Sequence, residues 1–181
     1  MVTKVIINEK KIIIRKLSRI DLKNTKKFQD FINYLVGERA QIKANKKFSL
    51  REEKEWLSGQ LRKIKQRKEV FLLAEDNNRV VGTTGINLGE GRQSHVGDFG
   101  ITIRKSYRGI GLGTYLTDKI LKLAKKELKP KPKIIRLSVF PTNKPAISLY
   151  KKFGFKKVAR IPKQIQYKGK LVDEIVMLKY L

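Results

Sequence analysis

Arg108-Gly-Ile-Gly-Leu-Gly113 follows an alternating run, Asp98-Phe-Gly-Ile-Thr-Ile103, and opens into a periodic apolar one: Leu112, Tyr115, Leu116, Ile120, Leu123 and Ala124. Period-two alternation reads as a strand and the 3.6-residue period as a helix. Three glycines at such a junction describe an anion site. With no side chains in the way, backbone N–H groups can approach a phosphate, and the positive end of the helix dipole favours negative charge there. Arg108 adds a guanidinium suited to bidentate phosphate contact. Spacing sets aside two familiar phosphate loops. A Walker loop ends in Gly-Lys-Ser/Thr, whereas Gly113 is followed by Thr114 with no lysine. The dinucleotide fingerprint needs G-x-G-x-x-G, whereas the glycines here fall at 109, 111 and 113.

Upstream, Ile12–Leu17 reads as a strand that can pair with Val2–Ile7 across a turn at Asn8–Lys10. Asp21 is placed to cap a helix running to Val36, with Phe28, Phe31, Ile32 and Leu35 on one face and Gly37 as its stop. Ser49-Leu-Arg-Glu52 fits a capping box at the head of a second helix. Val70–Glu75 and Val80–Leu88 form a hairpin around Asp76–Arg79, followed by a strand at Val96–Ile103. Beyond the glycine loop, a helix to Leu128 is ended by Pro130 and Pro132. A strand at Ile134–Val139, a helix at Asn143–Phe153, and strands at Phe155–Ile165 and Leu171–Lys179 complete the chain. This order describes a mixed α+β fold around one sheet.

The 181 residues suit a single domain, 1–181, with a real core. With no cysteine there is no disulfide framework, thiolate metal site or cysteine nucleophile, and no metal is expected. No apolar run approaches a membrane span and the start lacks a signal-peptide pattern, so a cytoplasmic location without a membrane partner is expected. The net charge is +27, from 43 Lys+Arg against 16 Asp+Glu. Such an excess attracts nucleic acid, acidic substrates or a phosphorylated cofactor, but scattered solvated lysines of a lysine-rich proteome give the same total. A nucleic-acid partner and a homodimer both stay open.

Asn143-Lys-Pro-Ala146-Ile-Ser-Leu-Tyr150-Lys-Lys-Phe-Gly154-Phe155 has the form N-x-x-A-x-x-L-Y-x-x-x-G-F. Paired in this order with R-G-x-G-x-G, it resembles the GNAT acetyltransferase superfamily. His95-Val-Gly-Asp98-Phe-Gly100, Val139-Phe-Pro-Thr-Asn143 and Gly169-Lys-Leu-Val-Asp173 are similar to an amino-acid and small-amine N-acetyltransferase subset. The resemblance implies the GNAT fold: a mostly antiparallel, splayed sheet of six to seven strands flanked by about four helices. It implies acetyl-CoA as acetyl donor, seated where the strands ending at Ile103 and Val139 separate. Backbone of Ile101, Thr102 and Ile103 would pair with the pantetheine. Gly109, Ile110, Gly111, Leu112, Gly113 and Thr114, with the Arg108 side chain, would hold the pyrophosphate. Asn143 would bond the pantetheine arm, and Tyr150 would stand near the sulfur.

The implied chemistry is direct attack by an amine in a ternary complex, in keeping with the absence of cysteine. Tyr150 is the natural acid for the departing thiolate, since a phenol can donate a proton. Some relatives carry a glutamate five residues ahead of the asparagine; here Ser138 stands there, which speaks against protein N-terminal acetylation of that type. His95, Asp98 and Glu75 are the candidate bases, beside a water chain with no single base. His95 is the only histidine, the residue type best suited to proton transfer near neutral pH. Glu38 and Arg39 could contact a substrate amine and carboxylate. The reading favours a primary amine of an amino acid or small molecule as acceptor. A protein lysine or N-terminal amine is the enzyme alternative, and a non-catalytic nucleic-acid module is the alternative from another class.

Overall fold

A computed structural model describes residues 2–181. Its strands are β1 (Val2–Ile7), β2 (Lys10–Lys16), β3 (Glu69–Asp76), β4 (Arg79–Leu88), β5 (Val96–Ile103), β6 (Ile134–Val139), β7 (Lys156–Tyr167) and β8 (Lys170–Tyr180). Its helices are α1 (Thr25–Gly37), α2 (Leu50–Lys65), α3 (Leu112–Glu127) and α4 (Lys144–Lys152). The strands make one sheet in the order β1-β2-β3-β4-β5-β6-β8-β7. Every neighbouring pair is antiparallel except β5 and β6.

β3 shows why the sheet sits between two helical layers. Its residues from Glu69 to Glu75 are buried on both faces. Val70, Leu72 and Ala74 join a core with Leu112, Leu116 and Ile120 of α3. The alternate residues, Phe71 and Leu73, join a second core with Phe28, Phe31 and Leu35 of α1 and Leu57 of α2. Period-two side chains on a central strand thus serve two packed layers.

The mixed fold and its splayed, mostly antiparallel sheet match the expectation, with one strand more than the upper count. β1, which the reading of Val2–Ile7 allowed for, is an edge strand paired only with β2, and its side chains alternate between exposed and half-buried. A second difference concerns Asp21, which does not cap α1. It lies in a 3₁₀ turn, Arg19–Leu22, accepts the Ser18 N–H at 2.9 Å, and binds the Arg15 guanidinium through both oxygens at 2.7 and 2.8 Å. The partly buried Arg15 from β2 claims the carboxylate, and α1 starts four residues later at Thr25. The Ser49 capping box at α2 is present, with Glu52 N bonded to Ser49 Oγ at 3.2 Å and Ser49 N to the Glu52 carboxylate at 2.7 Å. None of the described helices is long and apolar enough to cross a membrane.

Candidate cofactor cleft

β5 and β6 pair over only three residues, Val96–Asp98 with Ile134–Arg136. Above Asp98 they part, while β6 stays paired with β8 up to Val139. Parallel neighbours with right-handed twist diverge readily once no ladder holds them. The foot of the fork is held by close packing. A Cβ on Gly97 would stand 2.7 Å from Ile86 Cγ2 and 3.0 Å from Ile135 Cδ1. The fork opens into a cleft of about 1530 Å³ lined by Gly100–Ile103 on one prong and Leu137–Phe140 on the other. Paired on one side with β4, β5 turns its other backbone edge to this gap.

At the mouth, β5 passes through a short 3₁₀ turn into the glycine loop and α3. Gly109 and Gly111 take φ of +77° and +97°, a region that disfavours any residue with a Cβ. Gly111 is the N-cap of α3, so the first-turn N–H groups after it have no helical partner. Leu112 and Ile110 turn their side chains into the core and leave their backbone to the loop. Gly109, Gly111, Gly113 and Thr114 line the cleft. Gly113 also lets α3 approach α4 and β5, for a Cβ there would lie 3.3 Å from Leu149 and 3.4 Å from Ile103.

Arg108, expected to face a pyrophosphate, lines the cleft beside the glycine loop, and its guanidinium is held there by two contacts. Its Nε donates to Ile103 O at 2.8 Å and its Nη2 pairs with Glu38. Glu38 is not among the residues lining the cleft, and one oxygen of its carboxylate is paired with Arg108. Arg39 does line it, and its carbonyl accepts the Tyr167 hydroxyl at 2.7 Å. Asn143 is the N-cap of α4, with Oδ1 accepting Ala146 N at 3.3 Å; its amide nitrogen is not used in that cap.

Tyr150 lines the cleft from α4 and is 7% exposed. Its ring meets Phe99 edge-on at 5.8 Å between centroids. Burial pushes its phenol up to about 12, so the hydroxyl keeps its proton throughout the neutral range.

The three expected bases part company. His95 precedes β5 at the closed foot of the fork, where its carbonyl accepts the N–H groups of Lys133 and Ile134. It is not among the residues lining the cleft. Eight residues separate it from Ile103, roughly 26 Å of extended strand. Glu75 is also outside, locked to Arg15 at 2.6 Å and to Lys27 in a buried ion cluster that holds its carboxyl below the usual range despite desolvation. Asp98 does line the cleft, but both oxygens are taken by Arg136 Nε and Nη2 at 2.7 and 3.1 Å. Reading the residues in order missed Glu174, Gln164 and Tyr167. These come from the last hairpin, which folds beside β6 and closes the cleft's far wall. The adjacent Asp173 and Glu174 gave no local signal of that placement.

A strand fork with a glycine loop and buried tyrosine at its mouth defines the architecture of acyl-CoA-using transferases. The model described as the Acetyltransferase (GNAT) family matches residues 37–155, and the chain belongs to that family. It is similar to the L-amino acid N-acetyltransferase AaaT of Escherichia coli (strain K12), at 33% identity over 88 residues. That stretch covers 49% of this chain and 53% of the relative, so the chain spans about half the length of the curated relative it matches. Among solved structures, a GNAT-family acetyltransferase from Streptococcus pneumoniae superposes with a TM-score of 0.81 at 24% identity, covering 94% of this chain and 99% of that one. Ribosomal-protein-S5-alanine acetyltransferase from Vibrio fischeri gives 0.81 at 14% identity, covering 99% and 96%. The yncA protein of Salmonella typhimurium, solved with acetyl-CoA, gives 0.77 at 17% identity, covering 94% of each chain.

Proposed function

We propose that this protein is an acetyl-CoA-dependent N-acetyltransferase acting on the primary amine of an amino acid or small molecule. The observation that carries the reading is the fork itself: it joins the glycine loop, an unpaired edge of β5 and the Tyr150 phenol in one cleft. Acetyl-CoA supplies an acetyl group already activated as a thioester. Backbone from Ile101 to Ile103 would take the extended pantetheine arm as an added strand. The first-turn N–H groups of α3 would hold the diphosphate. Arg108 would join them by exchanging Glu38 for phosphate oxygen.

Transfer forms a C–N bond and breaks a C–S bond; the amine loses a proton and the sulfur gains one. Tyr150 is assigned to the sulfur, because its burial keeps the phenol protonated until a thiolate develops. Glu174 is assigned to the amine proton. The residue lines the cleft and its carboxylate lies close enough to Arg136 to raise that guanidinium's pKa, yet forms no ion pair among the described residues. Asp98, held by Arg136, shapes the floor. Similarity to an L-amino acid N-acetyltransferase over part of the chain supports the acceptor class.

Release of free CoA on adding an amino-acid and amine panel tests the reading. Tyr150→Phe should lower kcat about 100-fold or more with little change in KM for acetyl-CoA. Failure of acetyl-CoA to raise the melting temperature, together with absent turnover across the panel, would sink it.

A further inference from the structure

The helices α2, α3 and α4 all end at one end of the sheet, because each leads into a strand that begins there: β3, β6 and β7. Backbone bonds stitch the loops at this base together. Lys129 N donates to Arg67 O at 3.0 Å, Leu88 N to Lys68 O at 2.8 Å, Lys133 N to His95 O at 2.8 Å and Leu181 N to Lys133 O at 3.0 Å. The loops so joined are strongly basic: Lys125–Lys133 alone carries five lysines and one glutamate. Lysines in a last helical turn, such as Lys125 and Lys126, are explained by the helix dipole. Arg67, Lys68, Lys129, Lys131, Lys133 and Lys179 lie beyond the helices and are not. None of these six forms an ion pair among the described residues.

A groove of about 430 Å³ runs between the ends of α2 and α3, lined by Lys16, Lys65, Arg67 and Lys126. Its two carboxylates do not neutralise it. Glu127 is paired with Lys16, and Glu69 is buried with its carboxyl pushed up to about 7 by desolvation. Tyr180, 71% exposed, ends β8 at the same end of the sheet, paired in register with Ile134 and four strands, roughly 19 Å, across from β3 and that groove.

We propose that this basal surface binds a single-stranded nucleic acid, with the loop cations on phosphates and Tyr180 as a stacking platform. A cationic track across the base of the sheet, from the groove at β3 through Lys129–Lys133 to an exposed ring at β8, suits a chain of phosphates with unpaired bases and reads no sequence. A bilayer would call for a cluster of aliphatic side chains to insert, and the large exposed apolar group between Lys133 and Lys179 is a lone tyrosine. The full length of β5 separates this surface from the glycine loop, so a strand bound here leaves the cleft open. The proposal is independent of the transferase reading.

The test uses the whole protein and a fluorescein-labelled oligouridylate of about 20 nucleotides, read by anisotropy. For five phosphate contacts, affinity should fall roughly 100-fold between about 50 and 200 mM salt. Lys129→Glu/Lys131→Glu/Lys133→Glu should weaken binding at least about tenfold, and Tyr180→Ala at least about fivefold. CoA release should be unchanged in both. Lys4→Glu/Lys11→Glu/Lys23→Glu, on the β1–β2 edge and the turn beyond it, removes the same charge elsewhere and should cost much less. Equal loss in the two triple variants would reduce the effect to net charge and overturn the proposal. So would absent saturable binding, or tighter binding of a duplex, polyglutamate or phosphatidylserine vesicles.

Discussion

Arg108 and Glu38 show how one contact couples two regions of the cleft. Glu38 sits at the end of α1 and Arg108 at the head of the glycine loop, and the pair holds the guanidinium against Ile103 O. If Arg108 must leave Glu38 to meet a diphosphate, the pair opposes acetyl-CoA binding. The arginine is 45% exposed, so solvent screening keeps the pair's worth at about 0.2–1 kcal/mol. Glu38→Ala should therefore lower KM for acetyl-CoA about two- to fivefold with kcat nearly constant, whereas Arg108→Ala should raise it. A rise in both variants would mean that Glu38 positions Arg108 productively. The residue types at this site were legible in order along the chain, but their partners were not. Glu38 and Arg108 are 70 positions apart, and no periodicity links an acid after one helix to a base before another.

At the scale of elements, the fork depends on how tightly its foot is closed. Gly97 permits β4, β5 and β6 to meet through Ile86 and Ile135, both fully buried. Gly97→Ala should cost about 1–3 kcal/mol by overpacking, read as a lower denaturation midpoint with an unchanged m-value. Adding Ile86→Val, which trims the colliding methyl, should cost less in that background than in the wild type. Simple additivity would place the strain elsewhere. Strands and helices were readable because period-two and 3.6-residue patterns are local. The Ser49 box was readable for the same reason, whereas Gly37 ends up inside α1, with Glu38 as its C-cap and Arg39 in the left-handed conformation. Asp21 misled because a cap is a competition for a carboxylate, and Arg15 reached it across a turn that the pattern of apolar residues does not record.

The whole molecule carries its charge unevenly between surface and interior. Glu53 is buried on α2, and desolvation pushes its carboxyl up to about 7 from an ordinary 4.5. Between those values the folded state keeps a proton that the unfolded chain has lost. Its stabilising contribution is complete below about pH 4.5 and is lost as pH rises through 7. The melting temperature should fall from about pH 5 to pH 7.5, and Glu53→Gln should flatten that slope. An unchanged slope in the variant would remove Glu53 as its source. Asp21 and Glu75, held low by Arg15 and Lys27, act in the opposite sense but only at more acidic pH.

Sequence alone determined the parts whose physics is local: the glycine loop at a strand-to-helix junction, the helix that carries Tyr150, the alternating strands and the helical faces. Each is written within about a dozen neighbouring residues, where backbone conformation and side-chain period are set. The tertiary structure alone decided which ionisable groups meet. It put His95 at the closed foot of the fork, locked Asp98 to Arg136, and brought Glu174 into the cleft by inserting β8 between β6 and β7. It also gathered the ends of three helices into one basic base. Those outcomes follow from strand order and splay, which place residues far apart in the chain within a few ångströms of each other.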